Sequence, residues 1–123
     1  MATILLVEDD KDIRDLVKLR LELADHEVSI AENGEIGVEE ALQDTPDIVI
    51  MDMYMPVLDG HAATRALREQ GYTGLIVALT ASAMVADTNR AISSGCDAVI
   101  IKPISEDFED QVAKHFEVFA KKS

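Results

Sequence analysis

The feature that most constrains this chain is a rhythm of short apolar runs. Residues 3–7, 47–51, 75–79 and 98–101 are almost wholly apolar, and 27–31 is a further strand candidate. Runs that do not alternate polar with apolar residues suit strands buried on both faces, which means a parallel sheet covered by helices. The intervening stretches carry apolar residues at helical spacing. Ile13, Leu16, Val17, Leu21 and Ala24 predict a helix over 12–24, and Ile36, Val38 and Ala41 predict one over 35–42, with Pro46 beyond its end. Asp59 is a ready N-cap for a helix over 61–69 that Gly71 stops, and 87–94 reads as a helix ended by Gly95. Ser105 can cap a last helix whose Phe108, Val112, Phe116 and Phe119 share the core face. The order βαβαβαβαβα argues an α/β fold, a doubly wound parallel sheet of five strands in a single domain spanning 1–123. Ligands of such sheets bind beyond the carboxyl ends of the strands.

Composition narrows the partners. The chain has 123 residues, with 24 acidic against 11 basic side chains and a net charge of −13. Such a chain lacks the clustered cations that phosphate backbones or anionic lipid surfaces require, so neither nucleic acid nor membrane is an expected partner. No apolar stretch approaches the roughly 20 residues that span a bilayer. The start carries no basic leader, and Cys96 is the one cysteine, which fits a reducing, cytoplasmic setting.

Chemistry gathers where the strands end. The first run closes on Glu8, Asp9 and Asp10, the third on Asp52, the fourth on Thr80 and the fifth on Lys102. In a parallel sheet these ends share one edge. Clustered carboxylates resist joint ionisation, and a hard divalent cation relieves them; Mg²⁺ favours a few carboxylates together with water and phosphate oxygens. A lysine and a hydroxyl opposite the metal would hold the remaining oxygens of a phosphoryl group. Phosphoryl transfer to a carboxylate follows. Asp52, alone at the end of the central strand, is the nucleophile. Glu8 and Asp9 hold the metal, with Asp9 the more direct ligand. Lys102 contacts the phosphoryl group, and Thr80 hydrogen-bonds it. Each residue alone has an ordinary reading: the acids as a helix cap, Asp52 as a turn residue, Thr80 as a strand former, Lys102 as a surface lysine. Together they would need four coincidences at one edge.

The wording at these ends resembles the receiver domains of two-component response regulators, in particular single-domain, chemotaxis-regulator-like members. The residues that carry the resemblance are Leu6-Val7-Glu8-Asp9-Asp10, Met51-Asp52-Met53-Tyr54-Met55-Pro56-Val57-Leu58-Asp59-Gly60, Ala78-Leu79-Thr80-Ala81 and Ile101-Lys102-Pro103-Ile104. The resemblance implies a flavodoxin-like (βα)5 fold with strand order 2-1-3-4-5. It implies that Asp52 accepts phosphate from a sensor histidine kinase or a histidine phosphotransfer protein. The implied Mg²⁺, for which Mn²⁺ or Ca²⁺ substitute, is held by Asp9, Asp52, Glu8 through water and the Tyr54 backbone carbonyl. The Lys102–Pro103 bond is expected cis. The chain is then a switch that signals to a downstream effector or passes its phosphate on, catalysing only its own phosphorylation and dephosphorylation. It is expected as a monomer, and the sequence leaves open whether the phosphorylated form is a dimer.

Two positions depart from the family's pattern. Val99 stands where an aromatic often precedes the lysine by three residues, so switching is expected to rest on Thr80 and the 81–86 loop. Tyr54 stands two residues after the phosphoacceptor and is expected to shield an acyl phosphate from water. The fold takes up residues 3 to about 120, which leaves no room for an output domain and favours a stand-alone protein or an N-terminal domain. A receiver segment of a hybrid kinase or larger regulator is the alternative. A flavodoxin-like cofactor binder lacks its phosphate loop here, because three acids occupy that place. A phosphatase with an aspartyl nucleophile lacks its second acid, because Tyr54 stands there. Met51, Met53 and Met55 read as core filling, Cys96 as a quiet thiol, and His26, His61 and His115 as surface or helix residues rather than ligands.

Overall fold

Two-sided burial sets the architecture. In the computed structural model, residues 2–55 and 57–122 are described; the Pro56 part of the expected turn and the two chain ends of the expected domain lie outside them. The elements run β1 (Thr3–Val7), α1 (Lys11–Leu23), β2 (Glu27–Ala31), α2 (Gly34–Asp44), β3 (Ile48–Asp52), α3 (Gly60–Glu69), β4 (Leu75–Thr80), α4 (Val85–Ser94), β5 (Ala98–Ile101) and α5 (Phe108–Lys122). The sheet is parallel with order β2-β1-β3-β4-β5, as expected. Alternate residues of each strand feed two separate cores. Leu5, Val7, Val49, Met51, Ile76 and Ala78 pack with Val38, Ala41, Ala63, Leu67 and Ala91 of α2, α3 and α4. Ile4, Leu6, Ile50, Val77 and Leu79 pack with Val17 and Leu21 of α1 and with Phe108 and Val112 of α5. Met51, Met53 and Met55 lie in the first of these cores, and Phe116 and Phe119 flank the second.

The helix boundaries differ where the caps differ. α1 opens at Lys11 because the Asp10 carboxylate accepts from the amides of Asp12 and Ile13. Its buried stripe is Arg14, Val17 and Leu21, so Leu16 and Ala24 of the expected stripe stand exposed. Ile36 is likewise exposed at the start of α2. α4 begins at Val85, two residues before the expected Asp87, and its cap residue Met84 makes no side-chain cap bond. α5 begins at Phe108; the Ser105 hydroxyl bonds instead with the side chains of Asp107 and Gln111. β3 starts and ends one residue later than expected, which brings Asp52 into the strand itself.

One glycine fixes the exit from β3. A Cβ on Gly60 would lie 2.2 Å from the Asp52 carbonyl oxygen and 2.6 Å from the Met53 Cα. Only a residue without a side chain lets α3 start so close against the strand end. The Asp59 carboxylate then caps α3 through the Ala62 amide.

Candidate functional site

The loop after β1 sets two acids beside the sheet edge. Glu8 is fully buried, Asp9 is exposed, and Asp10 turns away to cap α1. Glu8 Oε2 accepts from the Asp10 amide at 3.2 Å. Below this loop lies Arg14, 8% exposed, whose guanidinium donates to the Glu8 carbonyl at 3.0 Å and reaches the Asp9 carbonyl at 3.5 Å. Its charge is therefore spent on the backbone that carries the acids. Asp52, 3% exposed, accepts from the Tyr54 amide at 3.2 Å. The carboxylates of Glu8, Asp9 and Asp52 offer oxygens that all lie within 4.8 Å of one another.

Lys102 closes the cluster from β5. Its ammonium lies 3.0 Å from Glu8 and 3.6 Å from Asp52. The Lys102–Pro103 bond is cis, as expected. Burial, the largest influence, pulls the lysine down, but the two carboxylates together outweigh it and hold it above its usual range. The Asp52 carboxyl is pushed up to about 7, first by burial and next by the hydrogen bond and charge of Glu8; the Tyr54 amide and Lys102 pull the other way. Thr80 is buried at the end of β4, where its hydroxyl accepts from the Ser82 amide at 3.2 Å. Val99, at the position where the resemblance would place an aromatic, is half-buried and packs against the α2–α4 core.

The donor set fits a divalent cation. Two carboxylates are buried side by side with one ammonium between them, and the Lys102 ammonium, 3.0 Å from Glu8 Oε1, is the cation that faces that oxygen. A buried acid pair with spare oxygen lone pairs and a third, solvent-facing carboxylate is the arrangement hard cations take.

Two buried polar residues near the site stand outside the expected set. Arg14 is marked in the sequence by its place one turn before Val17 on the buried stripe. His61 was expected as a surface or helix residue; it lies on α3 but is 3% exposed, with Nδ1 3.2 Å from the Ser94 hydroxyl of α4. Burial, the largest influence, holds its imidazole below the usual range. Cys96 is buried and pushed up to about 11 by that burial, which agrees with a quiet thiol.

A doubly wound five-stranded sheet with acids, a hydroxyl and a lysine at its carboxyl edge defines the class of protein, and comparison with known proteins narrows it. The family model described as the response regulator receiver domain matches residues 4–113. The two-component response regulator ORR41 of Oryza sativa subsp. japonica is 39% identical over 111 residues, covering 87% of each chain. The DNA-binding transcriptional regulator RpaA of a Synechocystis strain is 34% identical, and the match takes in 93% of this chain but 47% of that protein, so this chain spans about half its length. Among solved structures, the receiver domain of sensor histidine kinase PA1611 from Pseudomonas aeruginosa superposes with a TM-score of 0.86 at 28% identity, over 98% of each chain, and was described with a magnesium ion in its active-site cleft. Vibrio cholerae chemotaxis protein CheY4 superposes at 0.87 with 26% identity, over 94% of this chain and 98% of that one. The chain belongs to the response regulator receiver domain family of two-component systems.

Proposed function

We propose that this receiver takes a phosphoryl group onto Asp52 from the phosphohistidine of a sensor kinase or phosphotransfer protein, and that the loaded form signals to an effector or hands the group on. The observation that supports this best is the convergence of Glu8, Asp9 and Asp52 within 4.8 Å, with Lys102 bridging two of them. In the transfer, an Asp52 oxygen attacks phosphorus, the P–N bond to the donor imidazole breaks, and that nitrogen leaves with the electron pair. Asp9, Asp52, the Tyr54 carbonyl and, through water, Glu8 would hold Mg²⁺. When bound, that ion keeps Asp52 ionised and offsets charge on the transferred oxygens.

The remaining work belongs to the chain's own side chains. Lys102 leaves its ion pair with Glu8 and Asp52 to hold a phosphoryl oxygen. The Thr80 hydroxyl, which accepts from the Ser82 amide, donates its proton to another phosphoryl oxygen, and through the Ser82 bond this draws the start of the 81–86 loop inward. Loading thereby shifts the population between two arrangements of this edge. The protein turns over no separate substrate; it is a switch that speeds its own loading and unloading. A cytoplasmic setting, a monomeric unloaded chain, and an absence of nucleic-acid or membrane contacts of its own complete the reading. No helix among the described residues is long and apolar enough to cross a membrane. Borohydride reduction after loading with a small acyl-phosphate donor tests the acceptor. The reading expects homoserine at position 52 and nowhere else; homoserine at Asp9 or Asp10 would overturn it.

A further inference from the structure

The mouth of the site is tied to α4 through a buried histidine. Ser94 is 4% exposed, and its hydroxyl donates to the Arg90 carbonyl at 2.9 Å. A hydroxyl has one proton, so the 3.2 Å contact with His61 must be donated by His61 Nδ1. This fixes the tautomer and the plane of the imidazole. The same imidazole meets Tyr54: the two rings stand edge to face, centroids 6.4 Å apart and 83° between planes. This is the geometry that aromatic pairs prefer. Tyr54 is otherwise about half exposed, so its ring has little else to hold it. Its backbone amide, meanwhile, is bonded to the Asp52 carboxylate.

We propose that His61 is a positioning residue for the lifetime of the acyl phosphate, holding the Tyr54 ring as a screen against water and making that screen dependent on the packing of α4 through Ser94. The proposal rests on the reading of Asp52 as phosphoacceptor. Unloading is attack of water oxygen on phosphorus; the P–O bond to Asp52 breaks, Asp52 leaves as carboxylate, and inorganic phosphate carries the rest. His61 touches none of these atoms. It acts by limiting where the Tyr54 ring can go, and Ser94 limits His61.

The test loads the full chain with Mg²⁺ and a small acyl-phosphate donor, removes the donor, and follows loss of the adduct by intact mass. His61→Ala is expected to load like wild type and to unload about 2- to 10-fold faster, the rate equivalent of one edge-to-face pair. Tyr54→Ala gives a similar change, and the double variant unloads no faster than either. His61→Phe, which keeps a ring without Nδ1, recovers most of the lifetime even if His61→Ala folds poorly, while Ser94→Ala shortens it in part. Lifetimes equal to wild type for His61→Ala and Ser94→Ala alongside a fast Tyr54→Ala would overturn the role of the tether. Multiplying effects in the double variant would overturn the coupling. Failure of wild type to load would instead overturn the phosphoacceptor reading beneath it.

Discussion

At the residue scale the decisive group is Asp52, a buried carboxylate beside a second buried carboxylate. Its ordinary value is 3.8, and the fold pushes it up to about 7, chiefly by burial and by Glu8. The folded metal-free protein therefore keeps a proton that the unfolded chain gives up. That contribution to stability is present below about pH 4 and is lost as pH rises through about 7. Asp52→Asn should stabilise the metal-free protein by on the order of 2 kcal/mol near pH 8 and by little near pH 4. Urea unfolding at the two pH values checks this, and an equal shift at both would count against a buried acid pair. Asp52, Lys102 and Thr80 were legible because each closes an apolar run. His61 was not, because its burial comes from α4 packing over α3, and nothing around Gly60 and Ala62 signals that. Arg14 carried a signal that apolar periodicity discards: a charged residue standing in the buried stripe of Val17 and Leu21.

At the element scale the strands were read within a residue, because burial on both faces leaves so few ways to write them. Helix starts were less legible where capping was unusual. The Asp59 cap on α3 is visible in the sequence, whereas α4 begins after Met84 with no side-chain cap at all. The loop from β3 to α3 carries the least favourable backbone: Val57, 77% exposed, adopts φ 73°. A β-branched residue there costs about 1–2 kcal/mol relative to glycine's freedom. Val57→Gly should raise stability by roughly 1 kcal/mol, net of glycine's greater unfolded entropy. Gly60→Ala should do the reverse, by about 2 kcal/mol, because its methyl would run into the Asp52 carbonyl and the Met53 Cα, backbone that cannot swing aside as the Met53 side chain can. Denaturant midpoints for the two variants would show opposite shifts, and a tolerated Gly60→Ala would contradict the close seating of α3 on the end of β3.

At the scale of the whole molecule, a net charge of −13 makes the compact state repel itself, and the carboxyl edge concentrates that repulsion. Any ion bound by the native state alone stabilises it, by about 1.4 kcal/mol at roughly ten times its Kd. Mg²⁺ should raise the melting temperature beyond NaCl of equal ionic strength, and the excess should shrink in Asp9→Asn. Identical effects of the two salts would leave only general screening. The central claim is that this edge is a working phosphoacceptor. Its most direct measurement is intact mass after exposure to Mg²⁺ and a small acyl-phosphate donor, for wild type and Asp52→Asn side by side. The account predicts one added phosphoryl group on wild type, none with chelator present and none on Asp52→Asn. An unmodified wild type, or an adduct that persists in Asp52→Asn, would contradict it.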